Sequence, residues 1–230
     1  MFNIKNNKLA FTFGFLLQFL SSNMLIAQVK EVYFGQLNDA INLEMFGATR
    51  LLQAGGGEIL FLVNSNDDII IYNVDSDEAM AEFNFEGHIN DGISMENGDV
   101  IFCGSNELGD GIVKIYTPIG AIKDSLIINN DVPMSILINT NIFYFGTENG
   151  VIYSCDNMLN VSKISKLHTS SIYDLDFISN EELAILTATE IYTFRINGKS
   201  NPQPIYSCDT CNFFLLSSYD LRLYFASRNN

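Results

Sequence analysis

"GISMENGDVIFCGSNELGDGIVKIYTP", residues 92–118, decides the fold. A short apolar stretch, "GISM", meets the turn "ENGD". The run "VIFCGS" follows, rich in β-branched and aromatic residues and closing on a hydroxyl at Ser105. A polar loop, "NELGDG", then leads to a second run that ends in Ile115-Tyr116, and "PIG" turns the chain again. Apolar runs this short, set between Asn, Asp and Gly turns, are strands joined by tight connections.

The same unit recurs along the chain, and repeats at such periods override any single-segment reading. Runs that close on a small hydroxyl residue end at Ser65, Ser105, Thr147, Thr187 and Ser227, spaced 40, 42, 40 and 40 residues apart. Upstream of them lie the short apolar stretches "TRLLQ", "GISM", "SILI", "YDLDF" and "NFFLL". A β-branched residue followed by tyrosine marks the next strand, at Tyr33, Tyr72, Tyr116, Tyr153 and Tyr192, spaced 39, 44, 37 and 39 residues apart. After each tyrosine come turn residues and a more polar run. The unit is therefore four antiparallel strands in roughly 40 residues, the sequence form of a β-propeller blade.

Counting strands by type gives a closure. "KEVYFG" (30–35) and "INLEMF" (41–46) are a third and a fourth strand with no first and second before them. "NFFLL" (212–216) and "LRLYFAS" (221–227) are a first and a second with no third and fourth after them. The two halves are complementary. Paired, they make a fifth blade and close an all-β ring of four-stranded blades, removing the exposed strand edge that each half would otherwise present.

Several of these stretches resemble WD40-like and quinoprotein-like propeller repeats. "FEGHINDGISMENGDVIFCGSNELGDGIVKIYTP" (85–118) is similar to a WD40 repeat, with Gly87-His88 at the usual Gly-His place. "KLHTSSIYDLDF" (166–177) places His168 likewise, and "FGTENGVIYSCD" (145–156) resembles a quinoprotein-type blade. The repeats are degenerate: Tyr stands for Trp throughout, and the following Asp is missing. The resemblance implies a remnant of the family's hydrogen-bonded network, in which His88 joins Ser105 and Tyr116, and His168 joins Thr187 and Tyr192. It makes the five tyrosines and the five hydroxyl residues structural.

Residues 1–27 stand apart from the repeats. Lys5 and Lys8 precede the apolar "LAFTFGFLLQFL" (9–20), and the polar "SSN" comes before "MLIAQ". The run falls short of the about 20 apolar residues that span a bilayer. It reads as a secretory signal cut after Ala27, with an uncleaved anchor as the alternative. Residues 28–230 then form one domain, exported to the periplasm or the medium, monomeric and without a membrane span. It keeps 10 basic against 27 acidic residues. So acidic a surface repels nucleic acid.

The chemistry-bearing residues are sparse. The two histidines, His88 and His168, lie two repeats apart, whereas a zinc site needs three or four convergent ligands; no metal and no cofactor are expected. Cys208 and Cys211 form a close pair, open to a small local disulfide or two free thiols. A strand-like run follows them, not the helix whose N-terminus activates a redox thiol. Five-bladed propellers include glycosidases, which work with paired carboxylates. Among the first strands "YDLDF" supplies Asp174 and Asp176, with Glu96 ending another. The chain holds no Trp, so the tryptophans that dock a quinone have no counterpart.

These residues point to a non-catalytic module that binds a protein or a small ligand. The candidate ligand face carries the loops between repeats and those between second and third strands. It holds Arg50, Asp67, Asp68, His88, Asp91, Glu107, Asp110, Asp131, Glu148, His168 and Asp209. The alternatives are a glycan-active or quinone-dependent propeller enzyme, and a fragment of a larger WD40-like propeller.

Overall fold

The computed structural model describes residues 32–33, 40–41, 48–54, 57–167, 170–198, 201–207, 217–219 and 222–224. The signal segment, His168, Cys208, Asp209, Cys211, "NFFLL" and Ser227 lie outside the described residues. The rest is strand and turn. No helix among the described residues is long and apolar enough to cross a membrane.

Four sheets of four antiparallel strands follow one another in chain order. Sheet I is β3 (Ala48–Ala54), β4 (Ile59–Asn64), β5 (Asp68–Asn73) and β6 (Glu78–Asn84). Sheet II is β7 (Gly87–Ser94), β8 (Val100–Asn106), β9 (Gly111–Tyr116) and β10 (Ile122–Ile128). Sheet III is β11 (Pro133–Asn139), β12 (Ile142–Thr147), β13 (Val151–Asp156) and β14 (Val161–Lys166). Sheet IV is β15 (Asp174–Ser179), β16 (Glu182–Leu186), β17 (Glu190–Arg195) and β18 (Gln203–Ser207). Each is a meander whose strands pair in sequence order, as the repeat unit predicts.

Two short hairpins complete the described strands. β1 (Val32–Tyr33) pairs with β2 (Ala40–Ile41), and β19 (Ser217–Tyr219) with β20 (Arg222–Tyr224). Each is a separate two-stranded sheet. β19 occupies part of the expected turn "SYD", a few residues beyond the stretch read as a first strand. The chain divides into two compact units, residues 1–85 and 86–230.

Burial runs across each sheet. The second strands are buried on both faces: Leu60, Phe61 and Leu62 in β4, Ile101 and Phe102 in β8, Phe143 and Phe145 in β12, and Leu183 and Ile185 in β16 are 0% exposed. The fourth strands are largely exposed, and β18 is exposed at all five residues. Within the larger unit, Cys103, Val113 and Ile115 of sheet II share a core with Ile136, Phe143 and Phe145 of sheet III. Tyr144, Ile152 and Leu167 of sheet III share the next with Leu175, Leu183 and Ile185 of sheet IV. Each such side chain contributes about 1.5–3 kcal/mol when fully buried. In sheet I, Leu60, Leu62, Ile70 and Tyr72 form a cluster of their own.

The Ile-Tyr dipeptides mark an irregularity common to all four sheets. Where the third strand pairs with the fourth, the register slips by one residue opposite Ile71-Tyr72, Ile115-Tyr116, Ile152-Tyr153 and Ile191-Tyr192. The extra residues are Met80, Lys123, Ile164 and Ile205. A bulge increases local twist and spoils the outer strand as a template for further pairing. The sequence period thus records a structural one.

Two glycines bring neighbouring segments close. A Cβ on Gly104 in β8 would sit 1.8 Å from the His88 carbonyl oxygen, and one on Gly146 in β12 would sit 2.3 Å from Ile172 Cγ2.

Candidate functional site

At one end of each sheet the second strand turns into the third, and a polar side chain closes that turn. Asn64 Oδ1 accepts from the backbone N–H groups of Asn66 and Asp68, at 2.8 and 3.0 Å. Asn106 Oδ1 accepts from those of Leu108 and Asp110, both at 2.9 Å. Thr147 Oγ1 accepts from Val151 N at 3.0 Å and Thr187 Oγ1 from Glu190 N at 3.0 Å. These four occupy one structural position. In the first two sheets that position falls one residue away from the expected hydroxyls: Ser65 is exposed in the turn and Ser105 is still within β8, opposite His88. A strand-ending Asn and a Thr do the same work in the turn, so an alignment on hydroxyls alone slips by one.

The larger unit joins three of these ends through hydrogen bonds. Asp110 Oδ1 accepts from Asn130 N at 3.1 Å, and the Asn149 amide donates to the Asn130 carbonyl at 2.9 Å. Asp131, 5% exposed, accepts from Thr147 Oγ1 at 2.9 Å, from Asn149 N at 3.2 Å and from the Tyr153 hydroxyl at 3.5 Å. Ser171 Oγ donates to the Glu148 carbonyl at 2.7 Å, and Ile172 N to the Thr147 carbonyl at 2.9 Å. The loops of sheets II, III and IV at this end are fastened in series.

Asp131, Thr147 and Tyr153 take the places that the resemblance assigns to His, Ser/Thr and Trp: the loop before a first strand, the end of a second, and a third. The network expected around His88 is arranged otherwise. His88 and Ser105 face each other across β7 and β8, but Tyr116 pairs with Val100 at the far end of β8. Five residues of strand separate the two backbone positions, about 17 Å. The Tyr116 ring instead packs edge-on against Phe102, its centroid 6.0 Å away.

In each of the four sheets the third-strand tyrosine has a carboxylate in its surroundings. The hydroxyls of Tyr72 and Tyr192 donate to Asp77 and Glu190, and that of Tyr153 to Asp131. Burial raises the Tyr192 pKa to about 12, with Glu190 adding to the effect. Burial, then the charge and hydrogen bond of Asp131, raise that of Tyr153, and burial and Glu86 raise that of Tyr116. In sheet II the Glu86 carboxylate also lies 3.3 Å from the ammonium of the buried Lys114.

The other expected face residues divide by what their side chains touch. Asp68 accepts from the amides of Asn84 and Asn64, which hold its pKa below the usual carboxylate value. Asp91 accepts from Gly92 N at 2.8 Å and, across to the next first strand, from Ile136 N at 3.0 Å. Beside it the Asn90 amide donates to the Pro133 carbonyl at 2.9 Å. Arg50 and Asp67 are half-buried, whereas His88, Glu107 and Glu148 are exposed. Asp67 sits at φ 61° inside the turn closed by Asn64.

Strand β7 begins earlier than "GISM" implies, so Asp91 joins Asp174 and Asp176 as a first-strand carboxylate. Asp174 and Asp176 each accept from the next backbone N–H, at 2.8 and 2.7 Å. Among the described residues no group of three His, Cys, Asp or Glu side chains is placed to hold a metal ion. Cys103 and Cys155 are buried in the core shared by sheets II and III. Burial, then Asp156 and Asp124, push the Cys155 thiol up to about 12.

No protein-family model matches the chain, and no curated protein sequence matches it.

Proposed function

We propose that the protein is an exported, non-catalytic β-propeller that binds a protein or a small ligand. Its fifth blade combines residues 30–46 with 212–228. The binding surface is the end of the sheets at which second strands turn into third. The observation that carries this reading is the series of fastened loops from Asp110 through Asn130, Asp131 and Asn149 to Glu148 and Ser171. Loops held before the partner arrives lose little freedom on binding, and these loops leave Glu107 and Glu148 exposed. Their buried acid is spent on holding the loops together.

A propeller hydrolase is the second reading, favoured by Asp91, Asp174 and Asp176 all lying on first strands. Against it, Asp91 is engaged by two backbone N–H groups, whereas a general acid or base must be free to exchange a proton with substrate.

A glycan and peptide array, with a panel of chromogenic glycosides assayed in parallel, separates the two. The binding reading expects an array ligand whose affinity survives Asp174→Asn/Asp176→Asn and falls in Glu107→Lys/Glu148→Lys, with no turnover. Glycoside hydrolysis that disappears in the Asp174→Asn/Asp176→Asn variant overturns it, as does a quinone bound to the purified protein.

A further inference from the structure

The chain contains three described Asn-Gly pairs: Asn97-Gly98, Asn149-Gly150 and Asn197-Gly198. In such a pair no Cβ shields the glycine nitrogen, which makes Asn-Gly the step most open to attack on the asparagine side chain. The fold treats the three pairs differently.

Asn97 lies in the turn between β7 and β8, where its amide nitrogen donates to Asp99 Oδ2 at 2.8 Å and its Oδ1 accepts from Asp99 N at 3.1 Å. Gly98 is buried. Asn149 lies in the fastened loops: its amide nitrogen donates to the Asn130 carbonyl at 2.9 Å, its backbone N–H to Asp131, and Gly150 is buried. Asn197 and Gly198 are both exposed in the turn between β17 and β18. There the bonds are backbone ones, Ile196 N to the Glu181 carbonyl at 2.9 Å and Gly198 N to the Arg195 carbonyl at 3.0 Å. A hydrogen bond from the glycine nitrogen back to a carbonyl is shared by all three turns: Gly98 N reaches Met95 at 3.0 Å and Gly150 N reaches Thr147 at 3.1 Å. What distinguishes Asn197 is a side-chain amide left to water.

We propose that Asn197 is a site of spontaneous deamidation in the folded protein, and that the fold protects Asn97 and Asn149. The Gly198 nitrogen, having lost its proton to solvent, attacks Asn197 Cγ. A new N–Cγ bond closes a five-membered imide, the Cγ–Nδ2 bond breaks, and the amide nitrogen leaves as ammonia after taking up a proton. Water then opens the ring at either carbonyl. Opening at the side-chain carbonyl leaves an aspartate at position 197, and opening at the main-chain carbonyl leaves isoaspartate. No electron transfer or co-reactant other than water is required.

The product adds a negative charge to the turn that sets the pairing of β18 with β17. Isoaspartate also lengthens the backbone there by one carbon. This is a slow chemical change in the turn that leads to the edge strand of sheet IV, independent of whether the proposed binding function holds.

The test is peptide mapping by mass spectrometry on the intact protein, incubated at mildly alkaline pH and sampled over time, with isoaspartate labelled by an isoaspartyl methyltransferase. The expected result is conversion at position 197 at least about tenfold faster than at 97 or 149, the rate equivalent of one retained hydrogen bond. In denaturant the three rates should converge, and Gly198→Ala should slow conversion at 197 alone. An Asn197 that stays amidated while Asn97 or Asn149 converts, or three equal rates in the folded protein, overturns the proposal.

Discussion

A buried carboxylate is costly unless its oxygens are hydrogen-bonded, and Asp131 meets that condition through Thr147, Asn149 and Tyr153. Asp131→Ala should therefore lower stability by about 1–3 kcal/mol, since it removes the acceptor that Thr147, Asn149 and Tyr153 share and unfastens the loop, although the Thr147 hydroxyl keeps its bonds to Val151. Urea denaturation measures this, and Thr147→Val should be partly redundant with it in a double-mutant cycle. A loss under about 0.5 kcal/mol would place Asp131 outside the network. The tyrosines set an alkaline limit. Tyr192 has its pKa raised to about 12 by burial first and Glu190 second, so the fold favours its neutral form. That contribution is complete below the unfolded value, about 10, and is lost as pH climbs through Tyr192's own value. Tyrosinate absorbance should show a late phase whose amplitude falls by one tyrosine in Tyr192→Phe, since Tyr116, Tyr144 and Tyr153 also titrate above the usual value. Complete titration of all tyrosines near the unfolded value, in protein still folded, would contradict it.

At the scale of strands and turns, the four meanders were legible because each local cue agreed with the next. "VIFCGS" and "IFYFGT" became β8 and β12, and "DSDE" and "DNM" fell at the turns between third and fourth strands. The bulges were not legible. A one-residue slip costs no apolar residue and adds none, so nothing in composition distinguishes Lys123 or Ile205 from its neighbours. The network of sheet III was overlooked for a related reason: a carboxylate at Asp131 can accept the same hydroxyl that an imidazole would. A search for histidines passes over it. Close approach was equally hidden. Gly104→Ala drives a methyl onto the backbone of His88, and Gly146→Ala drives one onto Cγ2 and Cβ of Ile172, a buried β-branched side chain with little room to turn. Each should cost about 2 kcal/mol or more in urea denaturation. A loss under about 0.5 kcal/mol in either variant would show that the facing segment gives way without strain.

For the molecule as a whole, 27 acidic against 12 basic residues favour solubility and disfavour anionic partners. They leave the ligand unspecified, because function belongs to a site and not to a fold. The repeat count carries further. Four sheets of one pattern are preceded by the hairpin of β1 and β2 and followed by that of β19 and β20, each a separate two-stranded sheet, and the proposed ring additionally requires these two hairpins to pair with each other. The most direct test is solution NMR of the protein lacking residues 1–27, with nuclear Overhauser contacts collected between backbone protons of residues 30–35 and 221–227. The five-bladed ring predicts cross-strand contacts between these segments, giving one four-stranded sheet from both ends of the chain. If each segment contacts only its hairpin neighbour and 30–35 shows no cross-strand partner in 221–227, the ring is not closed this way.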